Sequence, residues 1–242
     1  MELTMDNLTK EYGKKRALDR FTYSFHEGIY GLLGPNGAGK STMMGIITTG
    51  LRATSGTVCF NGTDIASMGA DYRALVGFMP QQQRLYEDFT LLRFLYYVAS
   101  LKGCKKKDVA ENIDEIIRSV NLWEVRNERI GTYSGGMKQR TLLAQALVGN
   151  PAILIMDEPT VGLDPKERVH FRELVEKVAE DKIVIIATHI VSDLEKLASE
   201  IIFLSQGKIA ESGTLPNLYE KYGQNGETSV EEIYMRLNPE SK

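Results

Sequence analysis

Residues 34–42 read Gly34-Pro35-Asn36-Gly37-Ala38-Gly39-Lys40-Ser41-Thr42. The apolar run 29–33 before them predicts a buried strand, and residues 40–49 predict a helix that ends at Gly50. A glycine-rich stretch that leads into Gly-Lys-Ser, between a strand and a helix, is typical of a phosphate-binding loop. These flanks disfavour the alternative, a glycine-rich turn with a solvated lysine.

Each residue type in this loop has a physical task. Glycines let the backbone turn so closely that successive N–H groups point at phosphate oxygens, and the N-terminus of the following helix adds positive potential. Lys40 is predicted to face the β- and γ-phosphates of a nucleotide, and the Ser41 hydroxyl is predicted to ligate Mg²⁺. The loop therefore predicts a nucleotide that binds together with Mg²⁺.

A second signal is the apolar strand Ile153-Leu154-Ile155-Met156, which ends in Asp157 and Glu158. In open α/β folds, ligands bind at the carboxyl edge of the sheet, where these two acids would lie. Adjacent strand residues point to opposite sides, so the two acids are predicted to do different work. Asp157 would hold Mg²⁺ through water, and Glu158 would polarise the attacking water. The alternative, a strand followed by a charged turn, loses weight beside the phosphate loop.

A third signal is Tyr133-Ser134-Gly135-Gly136-Met137, which precedes a predicted helix over residues 136–147. Ser-Gly-Gly is common in turns, but here it opens a helix. It thereby predicts a second anion-binding helix N-terminus in the same chain. Two phosphate-binding helix ends for one nucleotide suggest that the second end serves a partner subunit.

Between these motifs, short apolar strands alternate with helical patterns, which predicts a mostly parallel α/β sheet. From about residue 91 to residue 147 the pattern is helical throughout, so a helical lobe is predicted to be inserted between two α/β parts. Further strands are predicted at 56–60, 75–79, 152–156, 182–187 and 201–204, and helices at 91–101, 108–120 and 230–237.

The composition is that of an ordinary globular protein: 242 residues, 43% hydrophobic and 25% charged. The net charge of −3 disfavours a general nucleic-acid binder. No run approaches the roughly 18 apolar residues that span a bilayer, and residues 1–6 lack the pattern of a signal peptide. Cys59 and Cys104 lie far apart without metal-binding spacing, which predicts two free thiols rather than a disulfide.

In content and order, the motifs resemble those of ATP-binding-cassette (ABC) transporter ATPases over about residues 1–220. Residues 34–42 match the Walker A loop of that family, residues 153–158 its Walker B strand, and residues 133–137 its signature, usually Leu-Ser-Gly-Gly-Gln. Tyr133 and Met137 depart from this signature, whereas its Ser-Gly-Gly core is intact. The departure leaves the phosphate contact expected and puts in doubt the polar contact that a glutamine would make.

Two more residues take a role from the resemblance. Tyr12 matches an aromatic residue that stacks on adenine, and stacking gives only modest selectivity among bases. The alternative for Tyr12 is a surface tyrosine near a turn at Gly13. Gln81 matches the Q-loop glutamine, which contacts Mg²⁺ and water and links to the helical lobe. Gln82 and Gln83 make this register ambiguous, and the preceding Pro80 favours Gln81.

Two residues of the second half also match the family. His189 matches the switch histidine that touches the γ-phosphate. Asp164 ends the segment 161–164, which resembles the D-loop at the dimer interface. Asp164 is also predicted to cap the helix that begins at Pro165, with Glu167 three residues after the cap.

The resemblance implies a RecA-like P-loop NTPase core with a mostly parallel sheet, an N-terminal antiparallel β portion and an inserted helical subdomain. The cassette is expected over residues 1–222, with its core at about 1–82 and 150–222 and the helical subdomain at about 83–149. Residues 223–242 are expected to form a short C-terminal tail.

The resemblance also implies a head-to-tail dimer, with itself or with a second ATPase subunit. Each Mg-ATP would lie between Walker A of one subunit and residues 134–137 of the other, with Asp164 nearby. Lys40, Gln81, Glu158 and His189 would carry the attack of water on the γ-phosphate. The resemblance further implies that the chain works with a separate integral-membrane subunit and lies peripherally on the cytoplasmic face of the cell membrane. No nucleic-acid partner is expected. The segments 190–195 and 229–234 resemble the ABC-2 exporter group.

Two other classes compete with this interpretation. A soluble ABC ATPase that acts on nucleic acid or ribosomes would carry two cassettes or long coiled-coil or zinc insertions, which this sequence lacks. A small-molecule kinase would need an acceptor pocket and a lid, and would need neither the Ser-Gly-Gly motif nor His189. Phosphate release to water rather than to an acceptor separates the kinase from an ATPase.

A surface for the membrane partner is expected beside the Q-loop, where the family docks a short helix of the membrane protein. The residues expected to line it are Arg84, Leu85, Tyr86, Glu87, Phe89 and the helix start at Leu91. Tyrosine and arginine are favoured interface anchors. The alternative is that Leu85 and Phe89 only pin this loop to the helical lobe.

Overall fold

The computed structural model describes residues 1–81, 84–223 and 228–237. The first half of the chain contains β1 (Glu2–Tyr12), β2 (Lys15–His26), β3 (Gly28–Leu33), α1 (Lys40–Ile47), β4 (Ser55–Phe60), β5 (Thr63–Asp64), α2 (Ile65–Met68), α3 (Ala70–Ala74), β6 (Val76–Met79), α4 (Leu91–Leu101) and α5 (Lys106–Ser119). The second half contains a 3₁₀ turn (Ile130–Thr132), α6 (Gly135–Leu147), β7 (Ile153–Asp157), α7 (Pro165–Val178), β8 (Ile183–Ala187), α8 (Val191–Leu197), β9 (Glu200–Ser205), β10 (Lys208–Thr214), α9 (Leu215–Tyr222) and α10 (Val230–Leu237).

These elements form two compact units. Unit 1 combines Met1–Arg73 with Ile183–Lys242, and unit 2 comprises Ala74–Lys182. The division into a core and a helical subdomain, expected from the sequence at other boundaries, stays a prediction.

Unit 1 contains an antiparallel sheet with the strand order β2-β1-β4-β5. Its buried face carries Leu3, Met5, Phe21 and Phe25. Alternation of such side chains with polar ones is expected of a sheet that is covered on one face. This sheet confirms the antiparallel β portion predicted at the N-terminus.

The central strand of the other sheet region in unit 1 is β3. It lies between β8 and β9 and runs parallel to both, while β10 adds antiparallel to β9. All five residues of β8 are buried, as are five of the six in β3. Parallel strands are usually covered on both faces, so their sequences are continuous apolar runs. The strands predicted from such runs are confirmed here.

The described residues of unit 2 form a parallel strand pair and four α-helices. Strands β6 and β7 pair in parallel, with Met79 opposite Met156. Ile113, Ile116 and Ile117 of α5 are buried, and their spacing places them on one face of the helix. Helix α4 has the predicted bounds, and Gly103 follows it at φ +69°, as a helix-ending glycine does.

Some helix boundaries differ from the predictions. Helix α1 ends at Ile47, before the predicted stop at Gly50, because Thr48 caps it and Thr49 turns to φ +61°. The Thr48 hydroxyl donates to the Met44 carbonyl at 2.9 Å, which satisfies one of the last carbonyls of the helix. Helix α5 begins at Lys106 rather than at residue 108.

Two further expectations can be compared with the described residues. None of their helices combines the length and the apolar character needed to cross a bilayer. Cys59 and Cys104 are both free thiols, as predicted.

Candidate nucleotide-binding site

The phosphate loop of unit 1 connects β3 to α1. Gly37 has φ +83°, and Gly39, which caps the helix, has φ +113°. A Cβ atom on Gly39 would also lie 2.6 Å from the carbonyl oxygen of Ala17. Both the backbone angle and the close approach therefore require glycine at position 39. The result is a turn of backbone that opens onto a helix N-terminus, which is a ready-made anion site.

Backbone hydrogen bonds hold the shape of this loop. The N–H of Ala38 donates to the carbonyl of Pro35 at 3.1 Å, and the N–H of Gly207 donates to the carbonyl of Ala38 at 2.9 Å. The Lys40 ammonium donates to the carbonyls of Gly34 and Pro35, the latter at 3.2 Å. The cation predicted to face the phosphates thus reaches over the loop that would hold them.

His189 emerges at the same edge of unit 1 as the phosphate loop. Leu32 of β3 lies opposite Ala187 of β8 in a parallel pair, so Gly34 and His189 each follow that pair by two residues. Thr188 is buried, and its hydroxyl accepts the N–H of Ile190 at 3.0 Å. This turn leaves His189 exposed. The phosphate loop and His189, both predicted to meet the γ-phosphate, therefore lie directly after neighbouring strands.

Tyr12 lies at the end of β1, and its side chain is 48% exposed. The ammonium of Lys10 lies 5.1 Å from the centroid of the Tyr12 ring. This geometry is compatible with stacking on a base and with the alternative of a surface tyrosine. Its role stays a prediction.

The two acids of unit 2, Asp157 and Glu158, lie at the carboxyl end of the parallel pair β6–β7. Asp157 is the last residue of β7, and both Asp157 and Glu158 are half-buried. Because Met79 lies opposite Met156, Gln81 and Glu158 each follow that pair by two residues. The register therefore brings the predicted Q-loop glutamine and the predicted general base to one edge. Gln82 and Gln83 lie outside the described residues.

Glu158 has an unusual backbone. Its φ of +50° is in the left-handed region, which few non-glycine residues adopt. Because β7 ends at Asp157, the alternation used to assign opposite directions to the two acids does not extend to Glu158; the turn directs its side chain. Backbone strain of this kind costs about 1–3 kcal/mol and is concentrated at functional sites.

The Ser-Gly-Gly motif of unit 2 opens α6 as predicted. The Ser134 hydroxyl accepts the N–H of Met137 at 3.2 Å, so Ser134 is the N-cap. A Cβ atom on Gly136 would lie 2.2 Å from a carboxylate oxygen of Glu167, whereas one on Gly135 would meet nothing within 4 Å. Gly136 thus allows close packing on α7, and Gly135 faces open space.

The surroundings of Tyr133 explain why a tyrosine can replace the leucine of the family signature. Its ring is buried, and its hydroxyl donates to the Val125 carbonyl at 2.7 Å. Burial, with the nearby Glu128 carboxylate, raises the pKa of Tyr133 to about 12, so the phenol stays neutral at physiological pH. The tyrosine therefore fills the apolar position of a leucine and satisfies its own polar atom.

Asp164 caps α7, which confirms its predicted structural role: its carboxylate accepts the N–H of Glu167 at 2.9 Å. Sequence reasoning missed two residues nearby. The Gln139 amide donates to the Pro159 carbonyl, and the Arg140 guanidinium lies 4.0 Å from the Glu167 carboxylate. Both tie α6 to the segment after Glu158. Their only sequence signal is polarity on a half-buried helix.

A phosphate loop after one buried parallel strand and a pair of acids after another define a P-loop nucleotide-binding protein of the α/β class. Comparison with known proteins gives the family. Residues 18–161 match the model of the ABC transporter family. The chain belongs to this family and is an ABC transporter ATP-binding protein with a RecA-like core.

Curated relatives agree. The linearmycin resistance ATP-binding protein LnrL of Bacillus subtilis is 35% identical over 238 residues, which cover 98% of this chain and 76% of that protein. The uncharacterised ABC transporter ATP-binding protein YxlF of the same organism is 35% identical, with 92% of this chain and 74% of that protein covered. ABC transporter A family member 1 of Dictyostelium discoideum is 34% identical, and this chain spans only 26% of its length.

Solved structures agree on the fold. The structure of an ATP-binding subunit of an ABC transporter superposes with a TM-score of 0.85 at 26% identity and covers 98% of this chain and 100% of its own. A bacterial ABC transporter cassette, described as a dimeric structure, gives a TM-score of 0.76 at 28% identity, with coverage of 88% and 98%.

Gly39→Ala tests the loop geometry. It should weaken ATP binding more than tenfold, since the left-handed φ and the clash with the Ala17 carbonyl together cost about 1–3 kcal/mol or more at the phosphate cradle. Calorimetric titration with ATP measures this loss. Gly62→Ala is the matched control, because Gly62 has φ +78° but its Cβ would meet nothing within 4 Å. Unchanged ATP affinity in Gly39→Ala would contradict the geometry.

Proposed function

We propose that this chain is the ATP-hydrolysing subunit of a membrane ABC exporter and works as a head-to-tail dimer. One observation carries the proposal: the chain has two helix N-termini suited to phosphate, at α1 behind the phosphate loop and at α6 behind Ser134. A nucleotide held by the first leaves the second for the nucleotide of a partner subunit. Gly135 faces open space at that second end, which supports its use by a partner.

The predicted metal ligands fit Mg²⁺ in their chemistry. Ser41, Gln81 and Asp157 all offer oxygen atoms, and no group of three or more histidine, cysteine or acidic side chains suited to a metal occurs among the described residues. Mg²⁺ is usually bound by one or two protein carboxylates plus substrate phosphates, so such a sparse set is appropriate. When bound, Mg²⁺ would supply charge neutralisation on the β- and γ-phosphates.

The residues of the chain would then act mainly by position and charge. Lys40 binds the β- and γ-phosphate oxygens, and the loop N–H groups orient the chain of phosphates. Glu158 accepts a proton from the water that attacks the γ-phosphate in line, and Gln81 orients that water. His189 donates a hydrogen bond to the γ-phosphate. Without the partner's Ser134 each site lacks one wall, so ATP binding is coupled to dimer closure.

Export and a membrane partner are supported by the relatives and by one surface. LnrL is named for resistance to linearmycin, which fits removal of a toxic compound from the cell. A separate integral-membrane subunit, with this chain peripheral at the cytoplasmic face of the cell membrane, is part of the proposal. The net charge of −3 argues against the alternative of a soluble ABC ATPase that acts on nucleic acid.

The proposed docking segment, residues 84–89, combines exposed aromatic side chains with contacts to the rest of unit 2. Tyr86 is 48% exposed, and its ring lies 5.2 Å from that of Phe89 and 5.6 Å from that of Tyr97. The backbone carbonyl of Phe89 accepts the N–H of Ile130, just before the signature motif, at 2.9 Å. The segment thus presents aromatic side chains on a backbone that is already ordered, which lowers the entropic cost of binding.

Glu158→Gln should separate binding from hydrolysis. Glutamine keeps the size of the side chain but cannot accept a proton, and loss of a general base typically costs about 10²–10⁴ in rate. ATP then persists, and the closed dimer should accumulate in light scattering with Mg-ATP. The parent protein with ADP is the control. A monomer at every protein concentration tested would contradict the dimer mechanism.

Ser134→Arg should abolish turnover and leave the ATP affinity of the isolated subunit close to that of the parent. The arginine would block the helix end meant for the partner's nucleotide. Mixing with Lys40→Ala subunits tests composite sites, since one site of that heterodimer is intact and the other combines both lesions. Each variant alone is the control. ATPase activity should return in the mixture, and its absence at all ratios would count against shared sites.

Arg84→Ala combined with Tyr86→Ala should leave the basal ATPase of the isolated chain nearly unchanged. Neither side chain is predicted to touch nucleotide. The pair should reduce co-purification with the membrane subunit and reduce transport in cells. Arg73→Ala with Tyr96→Ala removes the same two residue types from exposed positions elsewhere and serves as control. Normal co-purification would place the docking surface elsewhere, and loss of basal ATPase would mean that the residues are structural.

A further inference from the structure

The hairpin between β1 and β2 carries an ammonium group to the phosphate loop. Lys15 is the first residue of β2, and its Nζ lies 3.8 Å from the position that a Cβ atom on Gly37 would take. Gly37 belongs to the glycine-rich turn at φ +83°, whose backbone N–H groups form the anion site. A positive charge therefore stands beside the loop in addition to that of Lys40.

Backbone packing fixes this placement. The carbonyl oxygen of Ala17 lies within 2.6 Å of the position for a Cβ on Gly39, so β2 runs directly against the loop. The side chain of Lys15 thus meets the loop at Gly37, and the backbone of Ala17 meets it at Gly39. The ammonium thus reaches the loop because the strand packs there.

The same hairpin carries the candidate for base stacking. Tyr12 of β1 lies directly opposite Lys15 of β2 in the antiparallel register. Side chains at directly opposed positions share one face of the sheet and neighbour each other. The ring predicted to stack on adenine and the Lys15 ammonium therefore lie side by side on the hairpin.

The described acids around the hairpin pair with cations other than Lys15. Arg16 pairs with Glu11 at 2.9 Å and with Asp19 at 2.8 Å, and Lys208 pairs with Asp19 at 3.0 Å. In the part of the chain that the structure describes, no carboxylate lies within ion-pair distance of Lys15. Lys15 is exposed, so its charge is open to a ligand at the loop.

We propose that Lys15 is a second cation for the polyphosphate of the nucleotide and contributes to nucleotide affinity through the phosphates rather than the base. The inference rests on the proposed nucleotide site at residues 34–42. Because the Lys15 ammonium is exposed, its contribution is moderate and is screened by salt. It acts on any ligand with the same phosphates, with or without a base.

Lys15→Gln in the full chain tests the proposal. Calorimetric titration with ATP and with inorganic tripolyphosphate should show affinities roughly three- to tenfold weaker than those of the parent at low salt. The difference should shrink at about 0.5 M salt, where screening is nearly complete beyond a few ångströms. Lys15→Arg should retain most of the affinity. Lys14→Gln removes the same charge from the neighbouring turn residue and should bind like the parent.

Three results would overturn the inference. They are parent-like binding by Lys15→Gln, an equal loss in Lys14→Gln, or a loss for ATP without a loss for tripolyphosphate. Lys40→Ala separates this failure from that of the proposed function. If Lys40→Ala loses ATP binding while Lys15→Gln does not, only the role of Lys15 fails. If Lys40→Ala binds ATP like the parent, the nucleotide site itself is wrong.

Discussion

Parallel pairing in register is the constraint on which the candidate site depends. In unit 1 the pair β3–β8 delivers the phosphate loop and His189 to one edge, and in unit 2 the pair β6–β7 does the same for Gln81 and Glu158. Each of these strands is nearly all apolar, and its buried backbone N–H and C=O groups are held in ladder hydrogen bonds. Leaving such a group unpaired would cost free energy. A slip of one residue in either pair would separate the groups that the register brings together. The placement of these predicted site residues is therefore set by the apolar residues of the strands.

The loop, in turn, depends on close approach to the antiparallel sheet. Gly39 meets the Ala17 carbonyl, and a Cβ on Gly207 would lie 2.7 Å from the same oxygen. The N–H of Gly207 also holds the Ala38 carbonyl. Two glycines far apart in sequence thus let one backbone segment of β2 pack beside the loop. The antiparallel sheet positions Tyr12 and Lys15 through this packing, so it carries two of the residues proposed to bind the nucleotide.

The sequence predicts those parts of the fold that follow from local pattern. Buried strands such as β7 and β8 are recognisable in the sequence as apolar runs. Asp164 and Ser134 indicate helix starts because their side chains are typical N-caps. It does not predict contacts that depend on tertiary neighbours. The close contact of Gly136 with Glu167 requires a residue that is distant in the chain. The early end of α1 at Ile47 and the hydrogen bond of Tyr133 to Val125 depend on turn geometry that no sequence pattern displays. The sequence also drew attention to Lys40 and not to Lys15, since only the folded hairpin brings Lys15 to the loop.

Glu158 shows how the two levels combine. The sequence pattern identifies an acid at the end of a buried strand but assigns its direction from strand alternation, which stops at Asp157. The observed φ of +50° has a cost that its surroundings must offset. Thr160 is buried nearby, and the N–H of Val161 donates to the Glu158 carbonyl at 3.3 Å, which closes a turn. The strand fixes the position of the Glu158 backbone, and the turn sets the direction of its side chain. The direction of this carboxylate therefore depends on residues 158–161 together rather than on the strand alone.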